Sequence, residues 1–96
     1  MDITKKKDGD TLKIALRGRL DTNSAMQLDK ELHGELDGIS AMEIDLAELA
    51  YISSSGLRTL LGAHKALKGN VKIMNVQDAV MDVFETTGFS AALNIG

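Results

Sequence analysis

The stretch Ala50-Tyr51-Ile52-Ser53-Ser54-Ser55-Gly56-Leu57-Arg58 decides the architecture, because an apolar, strand-like run stops there at three hydroxyls and a helix-like run begins. Upstream, Met42-Glu43-Ile44-Asp45-Leu46 alternates apolar and acidic residues, the pattern of a short strand with Met42, Ile44 and Leu46 on one side. A buried parallel strand is expected. Downstream, Leu57, Leu60, Leu61, His64 and Leu67 recur at helical spacing, which sets them along one stripe, while Arg58 and Lys65 fall away from its centre. That helix should lie against the sheet.

Serine is a favoured N-cap, since its short oxygen accepts a bond from an otherwise unpaired amide of the first turn, so Ser53, Ser54 or Ser55 is expected to start the helix. A cap needs one hydroxyl. At least one other is left free at the positive end of a helix dipole, where an added phosphate is electrostatically tolerated. The run therefore reads either as a cap alone or as a loop that offers a serine to a partner protein, and spacing does not separate the two.

Outward from this point the chain begins with a hairpin. Ile3 to Lys6 and Thr11 to Arg17 read as strands joined through Lys7-Asp8-Gly9-Asp10, with Asp-Gly as the turn signal, and Leu12, Ile14 and Leu16 mark one buried face. Gly18-Arg19-Leu20-Asp21 is expected to leave the strand. Thr22, Asn23 or Ser24 can then cap a helix reaching about Gly34 or Leu36, with Ala25, Leu28, Leu32 and Leu36 inward and His33 at the surface. Gly38-Ile39-Ser40 turns into the strand before the serines, and Gly69 is a plausible stop for the second helix. Val71-Lys72-Ile73-Met74 makes a further strand, and Asp78 can cap a third helix with Val80, Val83 and Phe84 inward, closed by Thr87-Gly88. Ala91-Ala92-Leu93-Asn94-Ile95 fits an edge strand or a helical end, and the pattern leaves both open.

Strands alternating with helices after an opening hairpin imply an α/β fold: a mixed sheet of four to five strands, helices packed on it, and right-handed crossovers between parallel neighbours. The 96 residues suit one domain, 1–96, and 44% apolar residues suffice for its core. Tyr51, Phe84 and Phe89 are the aromatics, too few for a base-stacking platform, and a formal net charge of -3 lacks the cationic surplus that phosphate backbones require. Nucleic acid is not an expected partner. Lys5-Lys6-Lys7 sits close to Asp8 and Asp10 and reads as a solvated hairpin end rather than a lipid patch. No stretch has the apolar length of a membrane span, the N-terminus lacks a signal-peptide core, and there is no cysteine, so a cytoplasmic protein with no membrane partner is expected.

Three segments carry a resemblance to a known family. Asp45-Leu46-Ala47-Glu48-Leu49-Ala50-Tyr51-Ile52-Ser53-Ser54-Ser55-Gly56-Leu57 is similar to the signature of the STAS family of anti-sigma factor antagonists. Gly18-Arg19-Leu20-Asp21-Thr22-Asn23-Ser24-Ala25 resembles the family's sequence at its first helix, and Phe84-Glu85-Thr86-Thr87-Gly88-Phe89 its C-terminal motif. The resemblance implies a module in a partner-switching circuit. A serine kinase that is also the anti-sigma factor would bind the unphosphorylated form and phosphorylate Ser54, with Ser53 a rival acceptor, and a PP2C-type phosphatase would reverse the modification. Ser53 stands where the family often has Asp. Asp21, Ser53, Ser55, Gly56 and Arg58 are the implied partner-binding residues, with Arg58 four residues after Ser54 and able to pair with its phosphate. Competing readings are an unphosphorylated STAS scaffold and an interaction domain that binds a nucleotide or anion weakly.

Enzymatic activity is not expected. Ser54, His64 and Asp45 could be imagined as a triad, but there is no Gly-x-Ser-x-Gly elbow, and the helical stripe explains His64 by packing. Two separated histidines supply no metal-ligand set, and without a Gly-x-x-x-x-Gly-Lys-Ser/Thr loop no cofactor is expected.

Overall fold

The opening hairpin forms where Asp-Gly signals it: β1 (Asp2–Asp8) pairs antiparallel with β2 (Thr11–Leu20), and Gly9 takes φ 64° in the turn. The computed structural model describes residues 1–95, whose remaining elements are α1 (Thr22–His33), β3 (Ala41–Ile52), α2 (Ser54–Ala66), β4 (Val71–Met74), α3 (Asp78–Thr87), α4 (Phe89–Ala92) and β5 (Asn94–Ile95). The strands lie in sequence order, and β2 to β5 are mutually parallel. The expected mixed α/β sheet is thus present, with five strands.

Period-two alternation assigns the faces. Leu12, Ile14 and Leu16 of β2, Met42, Ile44 and Leu46 of β3, and Val71 and Ile73 of β4 are all buried, and they join one cluster with Leu28 and Leu32 of α1, Leu57 and Leu60 of α2, and Val80 and Phe84 of α3. Each fully buried side chain of this size contributes about 1.5–3 kcal/mol relative to exposure. Lys13, Glu43, Asp45 and Lys72 point the other way and are exposed or half-buried, so the sheet keeps one polar face open.

Several boundaries differ from the pattern-based expectation, each for a tertiary reason. β2 does not end at Arg17. It continues to Leu20 because β3 runs beside it to Ile52, the two absorbing register shifts between Ala15 and Arg17 and between Gly18 and Arg19, where Gly18 adopts φ 102°. The first helix is capped by Asp21 rather than by Thr22, Asn23 or Ser24, and it ends at His33, leaving Leu36 half-buried beyond it. Asp78 is not a cap either: it is the first residue of α3, and Gln77 holds the cap position without a side-chain bond. The C-terminal piece is both alternatives in turn, a short helix and then a two-residue edge strand on β4.

The basic run is less solvated than expected. Lys5 and Lys7 each approach Glu35 at 3.4 Å, tying the edge hairpin to the segment after α1, and Lys5 foremost holds the Glu35 carboxyl below its usual value. The lysines also blunt β1 as an exposed edge.

Candidate functional site

The site is built where β2 and β3 end side by side. Leu20 pairs with Ile52, and the Ser53 amide donates to the Leu20 carbonyl at 2.8 Å, so the ladder continues one residue past β3 and holds Ser53 extended at φ -94°, ψ 171°. That conformation is the one an N-cap needs. Ser53 Oγ accepts from the Gly56 amide at 3.1 Å, and its carbonyl accepts from Leu57 at 3.0 Å.

Capping sorts the three hydroxyls. Ser53 is half-buried and its hydroxyl occupied; the Ser55 hydroxyl forms no hydrogen bond among the described residues but is half-buried, its backbone carbonyl accepting from Thr59 Oγ1 at 3.2 Å. Ser54 is exposed as the first residue of α2, and its hydroxyl forms no hydrogen bond among the described residues. The amides of Ser54 and Ser55 have no intrahelical acceptor, so this thirteen-residue helix presents its positive end beside the free hydroxyl.

Gly56 is buried, and its place in the structure is one of packing. A Cβ there would lie 2.7 Å from Leu20 Cγ and 2.9 Å from Ile52 Cγ1, so only glycine lets α2 start this close to the strand ends.

Asp21 repeats the arrangement on the neighbouring helix. Its Oδ1 accepts from the Ser24 amide and the Ser24 hydroxyl, both at 2.9 Å, while the Asp21 amide donates to Ser24 Oγ at 2.8 Å. These bonds from Ser24 favour the charged carboxylate and lower its pKa. Asp21 is half-buried, so its first duty is structural, beside a rim open to solvent.

The exposed surface carries features that periodicity did not single out. The Arg19 guanidinium lies 4.1 Å from the centroid of the Tyr51 ring, and Arg17 pairs with Glu48 at 2.7 Å. Tyr51 and Met26 are the exposed large hydrophobics among the described residues. Met26 had a legible signal, an apolar residue off the Ala25, Leu28, Leu32 stripe. Arg19 and Tyr51 had none, because their contact depends on register. Arg58 is exposed one turn after Ser54 and makes no ion pair among the described residues.

The structure does not gather the imagined triad. Ser54 and His64 are separated by about 15 Å along one helix axis, and Asp45 Oδ1 is used by the Ala47 amide at 2.9 Å and by Asn75 Nδ2 at 3.2 Å. His64 is half-buried and packed near Gly69. Among the described residues no three His, Cys, Asp or Glu side chains converge on a metal-sized site, and no helix is long and apolar enough to cross a membrane.

With this geometry in view, the family model described as "Mlab, STAS domain" matches residues 3–94. The chain belongs to the STAS family. This STAS chain is 36% identical over 93 residues to the putative anti-sigma factor antagonist BtrV of Bordetella bronchiseptica, covering 93% of this chain and 80% of that protein. It is 30% identical over 96 residues to an anti-sigma-B factor antagonist of Listeria monocytogenes, covering 95% and 83% respectively. The STAS fold is shared with the anti-sigma factor antagonist SpoIIAA in its unphosphorylated form, with a TM-score of 0.86 at 20% identity, over 99% of this chain and 88% of that one.

Proposed function

We propose that this STAS domain is an anti-sigma factor antagonist that acts by binding rather than catalysis. Its Ser54 face binds an anti-sigma factor with serine kinase activity, and phosphorylation of Ser54 weakens that complex. The observation that carries the reading is the division of labour among the hydroxyls: Ser53 is spent on the cap, Ser55 is unbonded but half-buried, and Ser54 is both unbonded and exposed. Ser54 therefore ranks above Ser53 as acceptor. The names of the Bordetella and Listeria relatives supply the class of partner. A PP2C-type phosphatase restores the binding form, and the circuit operates in the cytoplasm, where kinase and ATP meet.

Phosphate on Ser54 adds roughly -1.5 to -2 charges and three acceptor oxygens at the docking face. The fold accommodates it, because the charge sits at the positive end of α2 and within one turn of Arg58. The partner does not, because a fitted contact becomes a problem of desolvation and repulsion. About 3 kcal/mol lost there weakens binding more than a hundredfold. Of the implied contact residues, Asp21 and Ser55 form the rim, and Arg58 faces the partner before modification and the phosphate after it.

The test begins with a serine kinase that the immobilised wild-type chain retains, purified in recombinant form. Incubation with this kinase and ATP, followed by mass spectrometry of the Ser53–Ser55 peptide, should place the phosphate on Ser54. Equal affinity of Ser54→Ala and Ser54→Asp for the kinase would refute the switch and leave an unmodified scaffold.

A further inference from the structure

The Ser54 face does not stop at the helix tip. Between the first turns of α1 and α2 runs an open groove of about 270 Å³, lined among others by Thr22, Met26, Ser55, Arg58 and Thr59. Met26 is 63% exposed on its α1 wall, a flexible and polarizable apolar side chain left largely uncovered. Ser55 and Arg58 form the opposite wall, next in sequence or in helical turn to the candidate acceptor. The groove therefore adjoins the Ser54 face through Ser55 and Arg58.

We infer that Met26 is a second anchor of the same interface: the anti-sigma factor kinase that engages Ser54 seats an apolar side chain against Met26 in the α1–α2 groove, with an acidic group on Arg58. This rests on the proposed function. Its occupant follows from continuity with the Ser54 face and from Arg58, a cation without an ion pair among the described residues at one wall of the groove, while Asp29 on the other wall has His33 Nδ1 at 3.7 Å. A partner with an apolar tip beside a carboxylate complements that pattern, and a flexible thioether suits a contact that must form and release. An exposed apolar residue in a groove shared with Ser55 and Arg58 is also where a small count of side chains can hold much of the affinity.

The consequence for the switch is a division between what holds the kinase and what is modified. Loss of the Met26 contact should weaken docking without altering the hydroxyl that reacts.

The experiment uses the purified kinase and full-length chain with its methionines carrying ¹³C-methyl labels. On adding kinase without ATP, the Met26 methyl resonance should shift or broaden, while that of Met74, on the open sheet face, stays in place. In parallel, Met26→Glu should weaken kinase binding at least tenfold, and Met26→Ala should raise the KM for phosphorylation severalfold with kcat little changed. Both variants should keep the wild-type melting temperature, since the side chain is exposed. An unmoved Met26 methyl together with wild-type affinity of Met26→Glu overturns the inference. If Ser54→Asp still binds poorly in that case, the proposed switch stands alone; if Ser54→Asp also binds normally, that reading falls too.

Discussion

The starts of α1 and α2 solve one structural problem in two ways. Both follow the ends of adjacent parallel strands, both have an extended cap residue, Asp21 at φ -94°, ψ -171° and Ser53 at φ -94°, ψ 171°, and both caps accept from the amide three residues on. They differ in charge and closure. At α1 the cap is a carboxylate, and Ser24 returns the bond and is buried, with its hydroxyl also reaching the Arg19 carbonyl at 2.7 Å. At α2 the cap is neutral, the third position is Gly56, and the next hydroxyl is in solvent.

That contrast sets a fixed corner at one helix start against an open one, the proposed switch, at the other. A fixed carboxylate at α1 satisfies the amides and already balances the helix dipole. The neutral cap of α2 leaves the dipole unopposed, so a negative charge arriving on Ser54 meets no carboxylate from its own cap. The two starts are also coupled, since Leu20 precedes Asp21, its carbonyl holds the Ser53 amide, and its side chain occupies the space that Gly56 keeps free.

The largest way to break the comparison is Gly56→Ala. Its Cβ would meet Leu20 and Ile52, both buried and unable to swing away, so a loss of about 1–3 kcal/mol is expected. Thermal unfolding checks it, at about 4–8 °C per kcal/mol for a domain of this size. A melting temperature equal to wild type would mean that the close approach is not needed.

Removing the caps should give unequal effects. Asp21→Ala should cost more than Ser53→Ala, the latter about 0.5–1 kcal/mol in denaturant titrations, because the first loses a reciprocal box and a charge and the second a single neutral bond. A larger loss at Ser53 would reverse the ranking.

Acid sharpens the same point. Because the Asp21 pKa is lowered in the folded state, its contribution is fully present above the ordinary value of 3.8 and disappears as pH falls through the lower folded value. Asp21→Asn should therefore make stability less dependent on pH below about 4, whereas Ser53→Ala should leave that dependence unchanged. Parallel stability curves for wild type and Asp21→Asn in this range would show that the carboxylate is not the sensitive group.

The smallest expected effect is that of Ser54→Ala, within about 0.5 kcal/mol of wild type, because an exposed hydroxyl with no partner supports nothing in the fold. A substantial loss would show that Ser54 has a structural duty and would weaken its case as a free acceptor.

Much of the architecture was legible in the residues. The alternation of Leu12, Ile14 and Leu16 and of Met42, Ile44 and Leu46, the Asp-Gly turn, and the helical stripe from Leu57 to Leu67 all survive in the structure, because each records which side of a local element is buried. Boundaries were less legible. The reading of Gly18-Arg19-Leu20-Asp21 as an exit from the strand failed because β3 supplies pairing partners thirty or so residues away in the chain, and no local pattern reports that. The same long-range pairing moved the α1 cap to Asp21.

Sequence alone determined that an α/β sheet precedes a serine-rich helix start, and its motifs carried the STAS resemblance. Only the tertiary structure decided that Ser53 is the cap and Ser54 the exposed hydroxyl, and that Met26 shares a groove with Ser55 and Arg58. The reason is physical: three consecutive serines are chemically alike, and what distinguishes them is the backbone bond from Ser53 to Leu20, which fixes where the strand stops and the helix begins.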